Sequence, residues 1–399
     1  MELSERSGNI IKSLEPHVDF ITELPRTVHN SLIGLYKDMS VASKYVLKLR
    51  KNNQILSNIV PIQLNSKDLN VNYFPDEIQK HIRMNVKHML IFKTNIGKRE
   101  IVIEFGISEE QLGDLEKYES HVNYILQWLH ICGVYSKDTC AKSINIKIFM
   151  TCFKKILPKK QYDILDPINI NTGYSNYCSD KGEIVIYREE EWKKVFIHET
   201  FHAYGLDFGI NSFELISRMR KLFPVNSEHN VSEAYTETWA RICNSAMCAY
   251  LCISGKRTVD KYMQAVIFNI GIERMYASIQ AEKVLKHMGL EYDSLIGEGE
   301  TNKILRLNLY RENTNVLAYY VITAILLYDY PEFILWCNKY NTTLLRFRST
   351  ETNFKLFADM IERTATSRKF LKFMKDMSKI KIKNMKTSLT MSAIGSCDL

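Results

Sequence analysis

The spacing of apolar positions changes along this chain. Residues 27–50 carry an amphipathic helical pattern, followed by polar connections at 51–53 and 65–72. Residues 88–94 and 99–105 are β-rich runs on either side of Asn95-Ile96-Gly97-Lys98, which together signal a hairpin. Ser108, with Glu109, Glu110 and Gln111 behind it, predicts the start of a long helix reaching about Ile131. Residues 144–153 predict a strand that Pro158 brings to an end. Two more strands are predicted over 168–188, around Ser179-Asp180-Lys181-Gly182, where Gly182 supplies the turn. Beyond residue 230 the period is almost wholly helical: 231–246, 240–253, 259–287, 316–338 and 353 to about 375, punctuated by Gly255, Gly297, Gly299 and Pro331. The pattern predicts an α+β chain with a small mixed sheet followed by a mostly helical half. Its expected segments are 1–85, mostly helical; 86–210, carrying the sheet; 211–375, helical; and 376–399, a basic tail.

The strand at 184–187 leads directly into the stretch 192–208, WKKVFIHETFHAYGLDF, where His198, Glu199 and His202 spell H-E-x-x-H. On a helix, residues four apart share a face, so both imidazoles reach one ion and Glu199 borders the same spot. Two neutral imidazoles suit Zn²⁺, and a neighbouring carboxylate is placed to take a proton from an activated water. Glu189, Glu190 and Glu191 are expected in the helix's first turn, where its dipole favours negative charge. Gly205 is the expected stop.

A zinc site needs a third protein ligand. The extended pattern H-E-x-x-H-x-x-G-x-x-H begins well at Gly205, but its last position holds Phe208, which has no ligand atom, and Asp207 is one residue out of register. The alternative is the pair Glu233 and Glu237, four apart in 231–246. The two motifs and the strand before them resemble the gluzincin clan of zinc metallopeptidases, in which a Glu from a following helix completes a His-His-Glu site. The resemblance implies Glu233 as ligand and Glu237 as its partner bonding a ligand imidazole, with the swap left open. It further implies a zincin-like catalytic domain within 86–210, a helical domain supplying the third ligand, and a protein or peptide substrate. It also implies a strand, for which 182–187 is the candidate, that pairs with the substrate backbone. Segment 211–230 is a candidate lid. His229, four residues before Glu233, is a candidate oxyanion donor, with Tyr204 and Tyr235 as rivals.

The run GEIVIYREEEWKKVFIHETFHAYGLDF, in an Asn-, Ile- and Lys-rich chain, is similar to metallopeptidase-like proteins of large nucleocytoplasmic DNA viruses. That likeness implies an intracellular viral protein, made in the host cytoplasm and packaged in the virion or not.

Composition narrows the alternatives. The 399 residues are 46% hydrophobic and 25% charged, ordinary for a globular protein and unlike a disordered one. Nine cysteines without C-x-x-C spacing argue against a disulfide framework and for a reducing compartment. The N-terminus has no signal-peptide pattern, and the longest apolar run, 316–328, is too short to cross a bilayer. Residues 368–386 hold eight basic residues against one Asp, matching the whole chain's net charge of +8. Such a patch suits a nucleic acid or an anionic surface. Two other functions use the same residues: a non-peptidase amidase, and a catalytically idle zincin-like assembly protein docked through this tail.

Overall fold

The computed structural model describes residues 3–17, 21, 23–64, 73–209 and 212–395. The predicted connection at 65–72 and Asn211, the first residue of the candidate lid, lie outside them. The chain runs through α1 (Glu5–Leu14) and the long α2 (Arg26–Lys51), whose buried Val28, Leu32, Leu35 and Met39 trace the predicted stripe. Strand β1 (Leu56–Pro61), helix α3 (Asp76–Asn85) and the hairpin β2 (His88–Ile96) and β3 (Arg99–Ile107) follow. The hairpin turns at Gly97, which adopts φ +60°, as the sequence predicts.

Ser108 starts a shorter element than expected. Its backbone N–H bonds Gln111 Oε1 at 2.9 Å, but this caps only a 3₁₀ turn over Glu109–Gly113. Helix α4 (Glu116–Tyr135) begins beyond Gly113 and Asp114, which interrupt the helical pattern. Then come β4 (Ser143–Phe149), the single turn α5 (Pro167–Ile170), β5 (Gly173–Ser175) and β6 (Lys181–Ile186).

Among the described residues these strands form one mixed sheet in the order β1-β2-β3-β4-β6-β5. The β3–β4 and β4–β6 pairs are parallel and the rest antiparallel. Alternation along the strands builds two faces. Ile101, Ile103, Ile184 and Ile186 point into the main core with α2 and α4, while Val185 and Tyr187 point the other way, onto Phe74, Ile78 and Ile82 from α3 and the turn before it.

The remaining chain is helical: α6 (Trp192–Ala203), α7 (Phe213–Leu222), α8 (Val231–Leu251), α9 (Val259–His287), α10 (Tyr292–Ile296), α11 (Glu300–Leu309), a π-helical turn at Leu317–Ile322, α12 (Thr323–Tyr328), α13 (Tyr330–Tyr340), α14 (Glu351–Ala365) and α15 (Arg368–Met377). Their apolar faces join the sheet's in one buried cluster that draws on residues from Val28 to Met391. Among the described residues no single helix is long and apolar enough to cross a membrane; 317–328 and 330–340 pass that test only as a pair bent by 90°.

Two expectations need correction. The tail is not wholly an exposed basic arm. In α15 the lysines face outward over buried Phe370 and Met374, but after Lys386 the chain turns inward and Leu389, Met391, Ala393 and Ile394 are buried. These residues are small or apolar, and burying them is favourable once their backbone is hydrogen-bonded. The second correction concerns cysteine. Cys140 and Cys178 form a disulfide across 38 residues, which argues against the reducing compartment expected from the cysteine count. Sequence spacing gave no sign of it, because parallel pairing of β4 with β6, in register Ser143↔Lys181, brings the two chain segments side by side.

Candidate metal centre

Helix α6 is not amphipathic. Every residue in it except His202 is buried, since one flank meets the sheet and α4 while the other meets α8. Glu189–Glu191 precede the helix rather than forming its first turn, and Glu191 adopts φ +62° there. Its carboxylate turns inward to Lys155 instead of toward the helix dipole. The helix ends as predicted. Gly205 takes φ +59°, and a Cβ there would come within 3.0 Å of Cys140 Sγ.

Helix α8 runs alongside and presents Glu233 and Glu237 on successive turns. His198 Nε2, His202 Nε2 and Glu233 Oε2 converge, with separations of 3.2, 3.1 and 3.4 Å. Ligands about 2.0–2.1 Å from a tetrahedral zinc lie about 3.3–3.4 Å apart, so the triangle fits that ion. The opposite ring nitrogens are also engaged: His198 Nδ1 with Glu237 Oε2 at 3.0 Å, and His202 Nδ1 with Asp207 Oδ2 at 2.8 Å. When each Nδ1–H donates to its carboxylate, both Nε2 atoms and the Glu233 oxygen bring lone pairs to one point. A cation resolves that crowding, so the donor set fits a metal ion.

The electrostatics agree. Burial opposes ionisation of His202, yet Glu233 and Asp207 outweigh it and raise its pKa well above the usual histidine value. The same holds for His198, held up by Glu233 and Glu237. Burial would raise Glu237, but Lys194 and Arg241 keep it far below the ordinary carboxylate range. The carboxylates therefore favour positive charge at the point where the two rings meet.

The centre lies in a cleft of about 620 Å³ lined by Ser175, Glu199, Tyr319 and the three candidate ligands, among others. Ser175 Oγ donates to Glu199 Oε2 at 2.7 Å. Strand β6 is bonded on both sides, to β4 and β5, so it is not the open edge expected for a substrate strand. That edge belongs to β5, whose Gly173, Tyr174 and Ser175 line the cleft.

The expected oxyanion donors lie elsewhere. His229 is buried, with Nδ1 2.8 Å from Ser227 O and Nε2 2.7 Å from Phe223 O, so both nitrogens are spent on the loop leading into α8. Tyr204 lies buried beneath the Arg99 guanidinium, and Tyr235 donates to Leu345 O at 2.9 Å within an aromatic cluster. Tyr319, which the sequence did not single out, lines the cleft instead. It sits in the π-helical turn and is half-buried in a run whose neighbours are buried. Such turns recur at functional sites because the extra residue re-aims side chains. Burial, with Glu233 and Glu199 beside it, pushes its phenol well above the usual tyrosine value, so it remains a donor. The adjacent pair Tyr319 and Tyr320 inside the apolar run 316–328 was the only sequence signal.

Comparison with known proteins adds one relative. The chain is 22% identical over 290 residues to an uncharacterized protein of Acanthamoeba polyphaga mimivirus, covering 70% of this chain and 71% of that protein. No family model matches, and no solved structure matches.

Proposed function

We propose that this chain is a zinc-dependent metallopeptidase of the gluzincin type, an endopeptidase with zinc on His198, His202 and Glu233. The convergence of three lone-pair donors beside Glu199 carries this reading. When bound, the ion acts as a Lewis acid toward the scissile carbonyl and lowers the pKa of the attacking water to about 7. Glu199 accepts that water's proton and returns it to the departing nitrogen, while Ser175 orients its carboxylate. Tyr319 donates to the oxygen on which charge develops. The substrate backbone extends the sheet along β5, and Glu237 and Asp207 hold the two imidazoles in the ligating tautomer.

The likeness to viral proteins and the distant mimivirus relative support a virus-encoded protein. The Cys140–Cys178 bond favours the particle over the reducing host cytoplasm as its place of action.

Metal analysis together with a Glu199→Gln variant tests the mechanism. The expected result is one zinc per chain in both proteins, peptide hydrolysis by the unmutated chain, and a loss of at least about 100-fold in the variant. A variant that binds zinc and cleaves peptides at the unmutated rate refutes the assignment.

A further inference from the structure

Beside the metal centre, where Lys155, Lys194 and Glu237 share a small cavity with His198 and Glu199, charged side chains alternate in sign. Lys194 Nζ lies 2.9 Å from both oxygens of Glu237, and Arg241 Nε lies 2.9 Å from one of them. Glu191 Oε2 lies 3.1 Å from Lys155 Nζ. None of these side chains is more than 3% exposed. Water cannot compensate them, so each depends on the group beside it.

The inward-turning C-terminal segment closes this cluster. Backbone N–H groups of Met391 and Ser392 donate to the two Glu191 oxygens at 3.0 and 2.5 Å. Met391 Sδ lies 3.6 Å from Lys194 Nζ. Ser392 Oγ and the Ile394 N–H both donate to Glu273, which also faces Arg241. The segment is anchored on both sides: Leu389 N–H donates to Lys155 O at 2.9 Å, and Tyr320 OH donates to Leu389 O at 2.6 Å.

We infer that residues 389–394 are a working part of the metal centre, with Ser392 and Lys194 as positioning residues. The segment fixes Glu191 at the start of α6 and backs Lys194; Lys194 holds Glu237; and Glu237 turns the His198 ring so that Nε2 faces the ion. This rests on the metal site proposed above. It makes the far C-terminus, some 190 residues from the H-E-x-x-H motif, a determinant of zinc affinity. Coupling between two such regions is reciprocal, so zinc in turn tightens the segment.

The test uses the full-length chain and zinc itself. Zinc affinity is measured by competition with a chromophoric chelator for the unmutated protein, Ser392→Pro, Ser392→Ala and Lys194→Met. Ser392→Pro removes the N–H given to Glu191, whereas Ser392→Ala keeps it. Loss of a partner that orients a metal ligand weakens binding about 10–100-fold. The expected result is a loss of that size for Ser392→Pro and Lys194→Met, and a much smaller one for Ser392→Ala. A second measurement needs no variant. Hydrogen exchange of the unmutated chain with and without zinc is expected to slow the Met391 and Ser392 amides more than those of the β2–β3 hairpin. Folded Ser392→Pro protein that binds zinc as tightly as the unmutated chain overturns the inference while leaving the metal site standing. So does a zinc-loaded chain whose 389–394 amides gain no protection beyond the hairpin's. An unmutated chain that binds no zinc overturns both.

Discussion

Asp207 Oδ2 lies 2.8 Å from His202 Nδ1. Five residues along the chain and out of register for direct ligation, Asp207 reaches the ring from behind. There it engages Nδ1, while Nε2 on the other side of the ring faces His198 and Glu233. The position that breaks the extended motif thus anchors one ring of the candidate centre.

Removing that carboxylate tests the arrangement. Asp207→Ala is expected to weaken zinc binding about 10–100-fold, because the His202 ring is free to rotate and change tautomer. Chelator competition reads the change directly. A variant with unmoved affinity removes Asp207 from the site.

Tyr319 makes a separate prediction. Tyr319→Phe keeps the ring but deletes the donor aimed at the developing charge, so kcat is expected to fall about 10²–10³-fold with zinc content unchanged. Steady-state kinetics against a peptide substrate, alongside metal analysis, separates this from loss of the ion.

Acid should weaken the fold through Glu191. Burial alone would raise its carboxyl, but Lys155 and Lys194 outweigh burial and hold it down at about 2, against a reference value of 4.5. Between those values the folded chain binds fewer protons than the unfolded chain, so the contribution is complete above pH 4.5 and is lost as pH falls toward 2. Its size is about 3 kcal/mol. Burial lowers the Lys155 ammonium to about 8, a cost of similar size that is constant below that pH and so leaves the acid dependence unchanged. Urea unfolding of Glu191→Gln and the unmutated chain should show a stability gap at pH 6 that narrows by pH 3. A gap independent of pH contradicts the assignment.

The disulfide is open to direct chemistry. Peptide mapping without reductant should yield Cys140 linked to Cys178. Closing a loop of 38 residues is worth about 2–4 kcal/mol, so reduction should lower the thermal transition. Because Cys178 N–H donates to His202 O at 3.0 Å, reduction should also loosen the C-terminal end of α6, read as faster amide exchange there.

Local spelling carried a good deal of this. The hairpin at 88–107, the 29 residues of α9 and the stop at Gly205 each follow from a pattern within a few residues of themselves. So does the pairing of His198 with His202, because helical spacing alone puts four-apart residues together. Glu233 was one of two open choices, and which carboxylate points at the imidazoles depends on how α8 is rotated against α6. Glu191 shows where local reasoning fails: a run of three acids suggests a helix start, yet a lysine from a distant loop and the C-terminal backbone claim its side chain.

The sequence by itself determined that one helix carries His198, Glu199 and His202 on neighbouring positions of one turn, with the two imidazoles on the same face, and that a sheet precedes a helical half. Those features are set by contacts between neighbours in the chain. Only the tertiary structure decided that Glu233 closes the triangle, that Tyr319 rather than His229, Tyr204 or Tyr235 lines the cleft, that β5 is the open edge, and that residues 389–394 stand beside the centre. Each of these depends on packing between segments tens to hundreds of residues apart, and burial and charge pairing across such distances leave no periodic trace along a single chain.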